Sequence, residues 1–162
     1  FSVANNITLR SYYATYRAFT TKSTRSSATT NQLNYADAQA LRRAVQKLDD
    51  FDFETADKDD ISSHVRAFID TYNYTMDSAK SSTNSYATST YKNLKNLASK
   101  YSKDLENIGI KENSSGYLTL SSSAVENISG SRFKSLLNKD SKFMKQLTTY
   151  DKRMANNIDY YA

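Results

Sequence analysis

Seven acids fall within the twelve residues from Asp49 to Asp60: Asp49, Asp50, Asp52, Glu54, Asp57, Asp59 and Asp60. Clustered carboxylates are what a hard cation such as calcium takes as ligands. The spacing does not build that site. Counted from Asp49, the sixth position is Glu54 where an EF-hand loop needs glycine, and the twelfth is Asp60 where it needs glutamate. No metal is expected, and the cluster reads as a solvated link between two helices, with Asp57, Asp59 and Asp60 favourable beside a helix N-terminus. His64 is the one histidine of the chain. Without a visible triad or metal partner it reads as a structural or surface residue. There is no cysteine, which removes thiolate zinc sites, disulfides and Cys/His nucleophilic pairs. No catalytic, cofactor-binding or metal-binding residue is assigned, and the chain is not read as an enzyme. Thirteen tyrosines, several beside lysine, raise a nucleic-acid reading in which aromatics stack on bases while cations meet phosphate. Tyr72, Tyr86, Tyr101 and Tyr150 recur at helical spacing, however, and bases alternate with acids across the C-terminal half. These tyrosines are therefore packing residues, and no nucleic acid is expected.

The elements that must carry these side chains follow from the apolar periodicity. From Ile61 the chain steps through Val65, Phe68, Tyr72, Met76, Ala79, Thr83, Tyr86, Thr90, Leu94, Leu97, Tyr101, Leu105 and Ile108 at the period of an α-helix. The stripe weakens across Ser81 to Thr90, where Ser and Thr dilute it, so either one helix continues through or two helices meet at a soft joint there. No glycine or proline breaks the run, which favours one long helix over about 60–106. Leu41, Ala44, Val45, Leu48 and Phe51 predict a helix over about 36–51, with Asp37 as its cap. Phe143, Leu147, Tyr150, Met154, Ile158 and Tyr161 predict a terminal helix over about 140–161. Near the start, Leu9, Tyr12, Tyr13, Tyr16 and Phe19 share one helical face, while the Thr/Ser-rich tract from Thr20 to Thr30 reads as a loop or frayed end. Between the long helices, Ile108, Gly109 and Ile110, the turn formers Asn113 to Gly116, then Tyr117 to Leu120 predict a β-hairpin over 108–120. Ser123 and Glu126 have capping-box spacing, which starts a short helix that Gly130 stops, and a second short helix buries Phe133, Leu136 and Leu137.

Composition sets the frame around these elements. Of 162 residues, 38% are apolar and 24% charged, with three glycines and no proline. That describes one domain by size. Ser, Thr and Asn together fill 53 positions. The apolar residues are therefore expected in narrow stripes rather than a thick core. The net charge of +5 is uneven, with residues 1–36 holding four bases and no acid. No run of 18 apolar residues exists to span a membrane. The first residue is Phe1 rather than methionine, which leads us to expect an upstream piece such as a signal peptide.

Two stretches match a family pattern. VRAFIDTYN at Val65 to Asn73 and LENIGIKENSSGYLTLSSSAVENI at Leu105 to Ile128 resemble the C-terminal part of the bacterial flagellar hook-associated filament-cap protein family. Phe68, Ile69, Tyr72 and Asn73 supply the family's element on a long helix. Ile108, Gly109, Ile110, Gly116, Leu118 and Leu120 supply its Ile-Gly-Ile, turn and Gly-x-Leu-x-Leu element, and the order holds over roughly 61–160. The chain looks like the family's helical core without the bulky inserted domains, with Asn138 and Asp140 as turn and cap before the terminal helix.

The expectation is a mainly α, elongated antiparallel helical bundle or coiled coil with a hairpin at about 108–120. Residues 1–35 form a polar, Tyr-rich segment, helical or partly disordered, and residues 36–162 the bundle. The resemblance implies a noncatalytic structural or assembly protein with no cofactor. It would associate with itself or with flagellin-like helical subunits, outside or on the surface of a bacterial cell. A secreted helical adhesin or surface-binding module is the alternative, and a small nucleic-acid-binding protein the second.

Overall fold

The computed structural model describes residues 6–162, so the first five residues of the expected N-terminal segment lie outside it. The described chain is mainly α, with nine α-helices and one two-stranded hairpin. Its frame is four helices: α3 (Thr30–Asp50), α4 (Lys58–Lys80), α5 (Ser85–Lys100) and α9 (Lys142–Ala155). Contacts along their lengths fix the directions. Asp37 meets Thr75 through the Thr75 hydroxyl at 3.2 Å, and Phe51 stacks on His64, so α3 and α4 are antiparallel. Tyr72 donates to the Leu94 carbonyl at 3.0 Å, and Ala79 clusters with Ala87, so α4 and α5 are antiparallel. Tyr101 meets Phe143 while Ala87 meets Met154, and Ala38 joins the same cluster, so α9 runs antiparallel to both α5 and α3. The four therefore close an up-down-up-down ring.

The ring encloses one contiguous core rather than separate narrow stripes. Leu41, Leu48, Phe68, Tyr72, Leu94, Phe143 and Leu147 lie in it. Each contributes about 1.5–3 kcal/mol of burial free energy. Some polar residues enter the interior, and Thr71, Asn73, Thr75 and Thr90 are buried there with their side chains bonded to backbone groups.

The predicted long helix is broken. The break falls where the stripe weakens, at the alternative soft joint, while the 3.6-residue spacing carries on across it because both helices bury a stripe of the same kind and the arithmetic cannot register a reversal between them. Ser81 to Asn84 make the turn. The Ser82 hydroxyl accepts the Asn84 N–H at 3.0 Å, and the Asn84 side chain accepts from Tyr86 and Ala87 as the cap of α5. Tyr86, a stripe member by spacing, is 42% exposed as a result. A further short helix, α6 (Ser102–Glu106), follows α5.

Four other elements differ from expectation. Helix α3 begins at Thr30, because Thr29 and Gln32 form a capping box. Asp37 is therefore mid-helix and buried, not a cap. Ser123 has helical backbone angles and makes no side-chain cap bond to α7 (Ala124–Asn127). Gly130 begins α8 (Gly130–Leu137) rather than ending a helix, and a Cβ there would lie 1.8 Å from the Phe53 carbonyl oxygen. That glycine allows α8 to sit directly on the acidic link. In the link before α9, Asn138 accepts the Asp140 N–H at 2.9 Å as the expected turn, while the cap of α9 is Ser141. Helix α9 stops at Ala155, short of the predicted 161.

The N-terminal segment is helical and packed where it is described. Helix α1 (Ile7–Tyr13) lies across α3 and α4 and buries Leu9, Tyr12 and Tyr13. It breaks at Ala14, whose φ is +52°, and continues as a 3₁₀ stretch, Ala14–Thr20. The Thr/Ser tract then forms α2 (Lys22–Ser27), capped by Thr21, where a loop or frayed end was expected.

Candidate functional site: the hairpin seat and the tyrosine-rich end

Asn73, Gly116 and Leu118, which belong to the two stretches that carry the family resemblance, meet where the hairpin sits on α4, while Ile108 lies beside α8 and α9. Strands β1 (Ile110–Glu112) and β2 (Leu118–Leu120) pair antiparallel, with Ile110 opposite Leu120 and Glu112 opposite Leu118. Ladder bonds flank this register, from Asn113 N–H to Tyr117 O at 2.9 Å and from Ser121 N–H to Gly109 O at 2.8 Å. Hydrogen-bonded pairs alternate along an antiparallel ribbon, so the N–H and C=O of Leu118 point away from β1. Asn73 on α4 takes both. Its amide donates to Leu118 O at 2.9 Å and accepts from Leu118 N at 2.8 Å, as a third strand would. A two-stranded ribbon is marginal alone, and this side chain supplies the missing edge.

The rest of the motif supports that seat. Gly116 has a φ of +89° in the turn, and a Cβ there would meet Met76 Cε at 3.1 Å. Asn113 organises the turn by accepting from the Ser115 and Tyr117 N–H groups. Tyr117 donates to Asp77 at 2.7 Å, and burial together with that bond pushes its pKa up to about 12. Ile110 and Leu118 are buried, as are Phe68 and Ile69 on α4, while Leu120 is half-buried. Tyr72 donates to the Leu94 carbonyl on α5, and burial, followed by the nearby Glu112 of β1, raises its pKa.

Two arrangements escape the sequence reading. The first is a buried charge network. Asp37 receives a bidentate pair of bonds from Arg25 at 2.8 Å each and a bond from the Tyr13 hydroxyl at 2.6 Å, while the Arg25 guanidinium lies 3.8 Å from the centre of the Tyr74 ring. It ties α1 and α2 to the frame. One signal for it exists in the sequence: residues 1–36 hold four bases and no acid, which makes Asp37 the first acid after them. The second is a tyrosine-rich end. Tyr16 of the 3₁₀ stretch, Tyr35 of α3 and Tyr160 beyond α9 form a triangle with ring centres 5.7–5.8 Å apart. Phe19 and Tyr161 extend it, and Tyr161 is 91% exposed. Burial, followed by the neighbouring Tyr35, raises the Tyr16 pKa.

The acidic link is used locally. Asp57 caps α4, Asp52 accepts from Thr55, and Asp49 accepts from the Lys139 N–H at 3.0 Å. His64 stacks on Phe51 with ring centres 3.9 Å apart, and burial lowers its pKa. On the outer side of α3 and α9, Arg42, Lys139, Lys145 and Lys152 line a groove of about 460 Å³ that holds one acid, Asp140. No helix of the described residues is long and apolar enough to cross a membrane. No protein-family model, curated protein or solved structure matches this chain.

Proposed function

We propose that this chain is a noncatalytic structural or assembly protein of a bacterial cell surface, akin to the helical core of a flagellar filament cap. In this reading it associates with itself or with flagellin-like helical subunits. The observation that carries the reading is the tyrosine-rich end. Rigid aromatics gathered at a partly exposed site give large contact area at small entropic cost, which is the composition of interaction hot spots. The helical stripes are consumed inside the frame, so association runs through these tyrosine edges rather than through an open apolar seam. Several polar side chains have structural work: Asn73 holds the hairpin, Asp37 holds Arg25, and Asp57 and Asn84 hold helix ends.

Sedimentation velocity of the chain, alone and mixed with flagellin, tests this. Self-association or co-sedimentation with flagellin, lost in a Tyr160→Ser/Tyr161→Ser variant of unchanged helicity, is the expected outcome. A monomer that ignores flagellin would overturn it. The groove at Arg42, Lys145 and Lys152 favours the nucleic-acid reading instead, and that reading requires salt-sensitive retention on DNA.

A further inference from the structure

We infer that the cleft between α6, α8 and the start of α9 binds a small amphipathic anion: an apolar side chain next to a carboxylate, with an amide N–H beside it. The cleft encloses about 470 Å³. That is ample for a small ligand, since such sites measure about 300–1,000 Å³. Its floor is made of core side chains that remain reachable from one side. Ile108 and Phe143 are 2% and 1% exposed, and Tyr101 packs on Phe143 with ring centres 5.6 Å apart at 65°. Above that floor Tyr101 and Leu136 are only half-buried, and an aromatic or branched aliphatic group would cover the apolar surface they leave open.

The rim specifies the rest of the ligand. Arg132 on α8 and Lys142 on α9 are exposed cations, and Asp104 on α6 is an exposed anion, all three lining the same cleft. None of their side chains has a hydrogen-bond or ion-pair partner among the described residues, unlike Lys134 and Lys58 nearby, whose ammonium groups donate to backbone carbonyls. The cleft's serines are already committed, Ser135 to Ser131 O at 3.0 Å and Ser141 to Leu136 O at 2.6 Å. The charged groups are thus free to select a ligand, together with the Asn107 amide and the Tyr101 hydroxyl. Two cations favour a carboxylate, for which the arginine fork is geometrically suited, and the single Asp104 favours an N–H donor alongside it. An apolar residue with a free carboxylate and an acylated amine has all three features. A free N-acyl amino acid and the C-terminus of a peptide share this chemistry.

The test titrates the full chain with N-acetylphenylalanine, N-acetylphenylalaninamide and a hexapeptide ending in phenylalanine, read by calorimetry and by shifts of the Ile108 and Phe143 resonances. The acid should bind at least about tenfold more tightly than the amide. That preference should vanish in Arg132→Gln/Lys142→Gln, two exposed positions whose replacement leaves the fold intact. Leu136→Arg, which fills the cleft, should abolish binding of both. A hexapeptide stronger than the free acid identifies a peptide terminus as the source, and parity identifies a free acyl amino acid. Equal affinity for acid and amide, no saturable binding, or a preference that survives the double variant would overturn the assignment. The cleft shares no residue with the tyrosine-rich end, so its failure and that of the assembly reading are read separately.

Discussion

Replacing Asn73 with alanine removes one side chain from α4 and strands two backbone groups on β2. The Leu118 N–H and C=O face away from β1 and are bonded by Asn73 alone at 2.8 and 2.9 Å, in a residue that is 1% exposed. A buried backbone group left without a partner costs about 1–3 kcal/mol. The low end of that range, about 1–1.5 kcal/mol for each of the two groups, applies here because opening the ribbon lets water reach both, so Asn73→Ala should cost about 2–3 kcal/mol. Opening is also opposed by the burial of Ile110 and Leu118 and by the Tyr117–Asp77, Tyr91–Ser115 and Ser99–Glu112 bonds, all of them local to the hairpin, so the loss should appear as loosening of this region alone. Amide exchange within 110–120 should accelerate roughly 30- to 150-fold, the same energy expressed as a population, while exchange in α9 stays put. Tyr72→Phe is the comparison. It removes one bond to the Leu94 carbonyl, should cost only about 0.5–1.5 kcal/mol, and should leave the ribbon protected. If exchange within 110–120 in Asn73→Ala rises no more than in α9, the amide is not the ribbon's third edge and the reasoning fails.

Two further outcomes follow from buried or strained groups. Asp151 on α9 is buried with neither carboxylate oxygen bonded. Burial lifts its pKa well above the usual carboxylate range, against the pull of Arg42 and with a push from Asp37. The folded chain then keeps a proton that the unfolded chain releases, so stability should fall as pH rises above the usual carboxylate range. The slope contributed is up to about 1.4 kcal/mol per pH unit. Asp151→Asn should flatten that slope and gain stability at neutral pH. Urea unfolding of both proteins across a pH series decides, and parallel slopes would contradict it. Ala14, at φ +52° and ψ −116°, is a strained non-glycine residue, and Ala14→Gly should raise the unfolding free energy by about 1 kcal/mol despite glycine's greater chain entropy. A lowered denaturation midpoint would show that the kink carries no strain.

Periodicity made the helical frame legible, and punctuation decided where the reading failed. The stripe from Ile61 to Ile108 located the residues of α4 and α5 correctly but not the turn between them. That turn is written in the side-chain caps of Ser82 and Asn84 rather than in glycine or proline. The start of α3 was present as Thr29 and Gln32 but was overshadowed by the apolar run that begins later. The hairpin was legible because two of the three glycines, Gly109 and Gly116, sit beside β-forming residues. Its seat was half legible: Asn73 and Leu118 could both be singled out, but a bond across 45 residues of chain has no local signature. Tyr35 and Tyr160 had none either, since both lie just outside the strongest stripes and gain meaning only when α3 and the segment after α9 meet.

The ring of four helices is closed by the member that is made last. During synthesis, α3, α4 and α5 emerge well before α9, by about 3–11 s for the 55 residues between Lys100 and Ala155 at typical elongation rates of about 5–20 residues per second. Through that interval the seam awaiting α9 is uncovered. Its nascent surface includes Ala38, Ala79 and Ala87, whereas the larger Met154 and Ile158 that cover them arrive with or just after the closing helix. Only that end of the seam is lined by methyl groups, because further along it Leu41, Leu48, Leu94 and Tyr101 share the core with Phe143 and Leu147 of α9. These larger side chains stay uncovered until the closing helix is made, so completion of the core waits on the last element of the ring.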